Sequence, residues 1–177
     1  MKQKYKQQQN FLLKDEIKYL NSKLHHIQWR EKSTTSSTWV SGGFETIINP
    51  HPEWILPLLG HMQSLFKIEF NYVLYSKYSS LNHSSAPSQN NDFYLGESPV
   101  TPILGVGSSI PLEITSKYTD ETERLELKDN DLFLINPEQQ NKWLIAIPKG
   151  NLLVEPHYSL SFRKVIHSSG DEAYSNL

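Results

Sequence analysis

The chain has 177 residues, no cysteine and a net charge of −2. That length suits one domain with a real core, and the missing cysteines exclude disulfides, thiolate nucleophiles and cysteine-based zinc or iron–sulfur sites. No apolar run approaches the roughly 20 residues that span a bilayer, and the basic start MKQKYKQQQN lacks the apolar region of a secretory signal.

Charge is unevenly spread. Residues 1–33 hold eight of the 17 Lys and Arg against three acids, a local charge of +5, and the remainder carries −7. A basic arm on an acidic body suits contact with nucleic acid or anionic lipid, with Lys2, Lys4, Lys6, Lys14 and Lys18 as the candidate contacts. The same pattern describes a solvated helix and tail.

In chain order, residues 1–10 read as a disordered lead-in. Phe11, Leu12, Ile17, Leu20, Leu24 and Ile27 repeat at three- to four-residue spacing, predicting a helix over 11–28 with Asn10 as its N-cap. The pair His25-His26 reads as surface, because adjacent helical residues point in different directions. STTSST at 33–38 reads as a polar connection, followed by Trp39, Val40 and the turn Ser41-Gly42-Gly43. Trp54 to Phe66 has helical spacing, and Phe70 to Tyr78 alternates as a strand. A polar loop spans 79–92. Short strands are then expected within 99–106, at 110–114, 125–127, 132–135 and 143–147, and last at 157–165, before a polar tail after His167.

The last strand is unusual. His157, Ser159, Ser161 and Arg163 share one face, opposite Tyr158, Leu160 and Phe162. In an open sheet the polar face is the wet side; in a closed β architecture it lines a pocket with a cation available to a carboxylate. Two helices followed by short strands predict a mainly β chain with flanking N-terminal helices, an α+β arrangement built as a sandwich or jelly roll.

The order of these pieces resembles the AlkB family of iron- and 2-oxoglutarate-dependent dioxygenases, and most nearly the AlkB-like domains of plant RNA-virus replication polyproteins. The similarity covers roughly 38–166. It rests on Thr38-Trp39-Val40-Ser41-Gly42-Gly43, on the strand Phe70 to Tyr78, on Pro99 to Gly107, on the stretch Trp143 to Lys149 and on the closing strand His157 to Arg163. The resemblance implies a double-stranded β-helix, a jelly roll, over 38–166, with a basic helix and linker at 1–37 and a polar tail at 167–177. It places the family's H-x-D iron ligands on Ser88 and Asn90, and its distal histidine on Ile145. None of these is an effective iron ligand: isoleucine has no donor atom, and serine and asparagine offer only neutral oxygen. The cosubstrate positions fall on Ser76, Tyr78, His157, Ser159 and Arg163, of which Tyr78 and Arg163 keep the family's residue types.

The expectation is therefore a dioxygenase-fold domain without metal, cofactor or catalysis. It would act as a binding or scaffold module for RNA or for other domains of a replication polyprotein, in the cytoplasm, which for a virus is the host's. Two alternatives stay open. One is an active oxidative demethylase that uses Fe(II) and 2-oxoglutarate, with His83 or His157 and Asp92 as substitute ligands. The other is an unrelated β-sandwich interaction protein.

Overall fold

The chain was analysed as a computed structural model, which describes residues 3–35, 40–80, 82–88, 99–150, 153 and 155–166. In chain order the elements are β1 (Tyr5–Gln8), α1 (Lys14–Leu24), β2 (Arg30–Thr35), β3 (Val40–Thr46), α2 (Leu56–Phe66), β4 (Tyr72–Tyr78), β5 (Ser85–Ser88), β6 (Ile103–Gly107), β7 (Ile110–Ser116), β8 (Thr122–Leu127), β9 (Leu132–Ile135), β10 (Trp143–Ile147) and β11 (His157–Arg163). The chain is mainly β. Its strands form two antiparallel sheets, one of seven strands in the order β1-β9-β6-β11-β4-β3-β2 and one of four in the order β5-β10-β7-β8.

Two apolar layers hold these sheets. Ile17, Leu20 and Leu24 lie on one face of α1, and Leu58, Leu59 and Met62 on α2; all are buried with Val73, Tyr75, Leu104, Val106, Tyr158, Leu160 and Phe162 of the large sheet. The second layer joins the sheets face to face. Tyr78, Phe133 and Ile135 of the large sheet meet Ile110, Leu112, Ile114, Leu127, Ile145 and Ile147 of the small one. Period-two alternation makes this possible, since successive side chains of a strand serve opposite layers. Fully burying one such aliphatic chain contributes about 2 kcal/mol, so each layer is a substantial part of the stability.

Several elements differ from the sequence reading, each for a local reason. The helix begins at Lys14 rather than residue 11, with Leu13 at its N-cap, where the Glu16 carboxylate accepts from the Leu13 amide at 2.8 Å. Phe11 and Leu12 are still buried, but Asn130 clamps them outside the helix. Its side chain accepts from the Leu12 amide and donates to the Leu12 carbonyl, each at 2.8 Å, while the Asn130 carbonyl accepts from Phe11 at 3.0 Å. Residues 5–8 are not a loose lead-in. They form β1 on the edge of the large sheet, with Tyr5 opposite Ile135 and its ring 5.5 Å from that of Phe133.

The polar connection at 33–38 overlaps β2, which pairs with β3 as the other edge of the large sheet. The loop at 79–92 contains β5, an edge strand on which Pro87 is tolerated because an edge leaves one row of amides unpaired. β11 begins at His157 as expected but ends at Arg163, two residues short of the expected 165, and lies between β6 and β4.

Candidate functional site

β11 sits centrally in the large sheet, and all seven of its residues are buried. Tyr158, Leu160 and Phe162 belong to the helix-side layer. Alternation therefore turns His157, Ser159, Ser161 and Arg163 toward the small sheet, into the interior of the sandwich. The polar face is an internal layer, not a wet one.

His157 is fully buried and doubly bonded. Its Nδ1 lies 2.6 Å from the Ser108 carbonyl oxygen and its Nε2 3.0 Å from Ser159 Oγ. A carbonyl only accepts, so Nδ1 carries the proton and Nε2 accepts from the Ser159 hydroxyl. Burial penalises the imidazolium and pulls the His157 pKa down to about 4, although the Ser108 contact opposes this. At neutral pH the ring is uncharged. Its centroid is 6.3 Å from that of Tyr78. The Tyr78 phenol is held well above its ordinary range, first by burial and then by the Glu45 carboxylate, against hydrogen bonds from Ser85 and Ser76. Ser76 and Ser159 face each other as register partners of β4 and β11, and His157 and Tyr78 do the same. Four of the five expected cosubstrate residues thus form one contiguous group. Arg163 lies at the far end of β11, opposite Tyr72, and is also buried.

Ser88 and Ile145 are register partners across β5 and β10. Asn90 and Asp92 lie outside the described residues. Ile145 stands in the apolar layer beside Tyr78, Ile114 and Ile147. The opening next to Tyr78, lined by Gly42, Gly43, Phe44, Glu45, Ser84 and Ser85, holds only about 10 Å³, the space of about one bound water. The described residues around Tyr78 are packed against one another. Close packing extends to Gly105, where a β-carbon would stand 2.7 Å from the Lys128 carbonyl oxygen and 2.8 Å from Leu127 Cγ.

Ile145 offers no donor, and no group of three His, Asp or Glu able to hold a metal occurs among the described residues. His83 is turned elsewhere: its Nδ1 accepts from the Ser79 amide at 2.9 Å, and its ring stands edge-on to Phe44 at 5.4 Å.

The basic arm divides. Lys4 is committed within the fold, with its ammonium 2.6 Å from Glu121, 3.1 Å from Glu123 and 4.0 Å above the Trp143 ring. Lys6, Lys14 and Lys18 are exposed, and Lys2 lies outside the described residues. No helix is long and apolar enough to cross a membrane among the described residues.

One polar cluster was not visible in the sequence. Asn21 of α1 and His25 at its C-cap come together with Gly107, Ser108, Glu155 and Pro156 around a surface crevice of about 480 Å³. Its members are scattered over more than a hundred positions, and only the adjacent pair His25-His26 gave any signal.

No model of a known protein family matches the chain, and no curated protein matches it either.

Proposed function

We propose that this is an AlkB-like jelly-roll domain that has lost iron binding and catalysis and serves as a binding or scaffold module, with RNA as its partner in the setting of a viral replication protein. The strand order carries the reading. From β4 to β11 the chain supplies β4-β11-β6-β9 to one sheet and β5-β10-β7-β8 to the other, an order that supports the reading of an eight-stranded double Greek key. The register pairing of Ser88 with Ile145 supports it further, since positions that once held one metal must lie close together in space.

The loss of chemistry follows from residue types. Isoleucine at the distal-histidine position removes one ligand outright, and uncharged serine and asparagine replace the other two. A 2-oxoglutarate molecule that is not chelated to iron keeps only its side-chain contacts. RNA is favoured as partner by the exposed lysines of β1 and α1 on an otherwise acidic chain.

The test has two arms on the full chain. Succinate release is measured with methylated RNA, Fe(II) and 2-oxoglutarate, and the expected result is none; substrate-dependent succinate would overturn the loss of catalysis. Fluorescence anisotropy with single-stranded RNA across a salt series is expected to give binding that weakens with salt, and Lys6→Gln, Lys14→Gln and Lys18→Gln together should flatten the slope. Failure to bind RNA at low salt would refute the partner.

A further inference from the structure

The helix-side face of the large sheet carries a row of aromatic rings at its surface. Phe44 of β3, Lys77 of β4 and Tyr158 of β11 are register partners, side by side across three neighbouring strands. Trp29, in the segment between α1 and β2, stacks on Tyr158 with ring centroids 5.5 Å apart and planes at 23°. Its Nε1 donates to the Leu24 carbonyl at 3.2 Å, which fixes the ring against the end of α1. The Lys77 ammonium lies beside two of the rings, 5.9 Å from the Trp29 centroid and 5.6 Å from that of Phe44. At one end His83 stands edge-on to Phe44 at 5.4 Å, and at the other His25 stands edge-on to Tyr158 at 5.5 Å.

Trp29, Phe44, Lys77 and His83 are half-buried and His25 is exposed, so each keeps part of its surface open. Tyr75, two residues before Lys77 on the same face of β4, is instead fully buried, with the Trp54 ring 5.9 Å away. The row therefore begins where the helix-side layer ends. His25 also terminates a basic flank of α1. Lys14, Lys18, Asn21 and His25 follow at spacings of four, three and four residues, one side of a helix, and both lysines are exposed. Lys14 to His25 spans about 17 Å of helix, and the three strands of the row span about 10 Å. Acidic groups border this strip. Glu31 lies opposite Phe44 on β2, where its charge acts on His83 against that of Lys77, and Glu155 lies near His25. The row is thus no simple basic patch; what sets it apart is ring surface.

Partly open rings on adjacent strands, a lysine among them and a lysine-bearing helix flank leading in are the features that stack single-stranded bases while cations follow the phosphates. A duplex keeps its base faces stacked on one another and has none to offer. We propose that unpaired bases of single-stranded RNA stack on Trp29 and Phe44, with Lys77, Lys18 and Lys14 meeting the phosphates. The inference rests on RNA as the partner and adds where it lies: on the outer face of the large sheet, opposite the face that bears His157 and Tyr78.

The test is fluorescence anisotropy on the full chain with three probes of equal length: a single-stranded oligouridylate, an RNA duplex, and an abasic ribose-phosphate strand that keeps the charge and lacks the bases. Oligouridylate is expected to bind tightest. Trp29→Leu and Phe44→Leu, which keep apolar volume, should each weaken it about tenfold while leaving the abasic strand and the salt slope unchanged. Lys77→Gln should reduce the salt slope by about one. Tyr118→Leu, which removes an exposed ring between β7 and β8 of the small sheet, should change nothing. In the parent, NMR amide signals of Phe44 and Lys77 should shift as oligouridylate is added, a readout that needs no variant. Abasic strand and oligouridylate binding equally, or ring variants that bind as the parent does, would overturn the stacking row and leave RNA as the partner. A parent that binds none of the probes at low salt would overturn both.

Discussion

Acidification tests the internal layer most directly, through His157. The folded chain holds this ring neutral with a pKa of about 4, whereas an unfolded chain has an ordinary histidine pKa of about 6.5. As pH falls below about 6.5, the unfolded state takes up a proton that the folded state refuses. The contribution is therefore fully present above the unfolded value, is lost progressively as pH falls through the window, and levels off below the folded value. With about 1.4 kcal/mol per pH unit, the loss across the window is about 3 kcal/mol. The assay is urea unfolding of the parent and of His157→Gln at a series of pH values from neutral to below pH 4. The variant is less stable at neutral pH, since it loses the Ser108 and Ser159 geometry, but its curve should fall less steeply by about 3 kcal/mol over the window. His83, whose pKa is also lowered by burial, and the carboxylates affect both proteins alike and cancel in the difference. Parallel curves would refute the reasoning: His157 would then titrate as an exposed ring, and the polar face of β11 would not be interior.

Three further outcomes follow from the packing. Gly105→Ala forces a β-carbon against Lys128 and Leu127 and should cost about 2 kcal/mol by overpacking, read as a lower urea midpoint with an unchanged slope. Asn130→Ala removes both side-chain hydrogen bonds to Leu12 and should cost about 2 kcal/mol, with faster amide exchange at Leu12. Glu123 accepts from Tyr5 and Lys4, and these contacts lower its pKa; Glu123→Gln should therefore raise hydrogen exchange in residues 5–8 while β11 stays protected, and acidification through the lowered carboxylate pKa should do the same in the parent.

Much of the arrangement can be read from alternation. In β11 the strict exchange of polar and apolar residues locates the strand and both its faces, because a strand buried on both sides must still divide its side chains between two layers. The small sheet becomes legible for the same reason at 110–114, and at 143–147 by a short continuous apolar run instead. The edges do not. β1 reads as a glutamine-rich lead-in, because its buried contacts come from a single tyrosine and from residues more than a hundred positions away. β2 and β5 are polar edge strands whose pairing depends on backbone groups that leave no trace in hydropathy. The helix start was missed for a related reason: Asn130 takes the backbone groups of Leu12, and nothing local announces it. At the candidate site, the grouping of Tyr78, Ser76, Ser159 and His157 follows from the strand register. The close packing of the described residues around Tyr78 does not, since volume depends on how side chains from both sheets meet.

The N-terminal strand has a consequence for how the chain is made. Tyr5 pairs with Ile135, and Lys4 reaches Glu121 and Glu123. During synthesis residues 3–8 emerge well before their partners, which appear only after more than a hundred further residues have been translated. Contacts of such long sequence separation carry a large loop-closure cost and form late. β1 is therefore among the last strands to dock, and until it does, β9 presents an open edge and the Phe133 ring lacks its Tyr5 cover. A chain interrupted before residue 135 would hold that basic, tyrosine-bearing segment loose, available to whatever else the ribosome-bound chain meets.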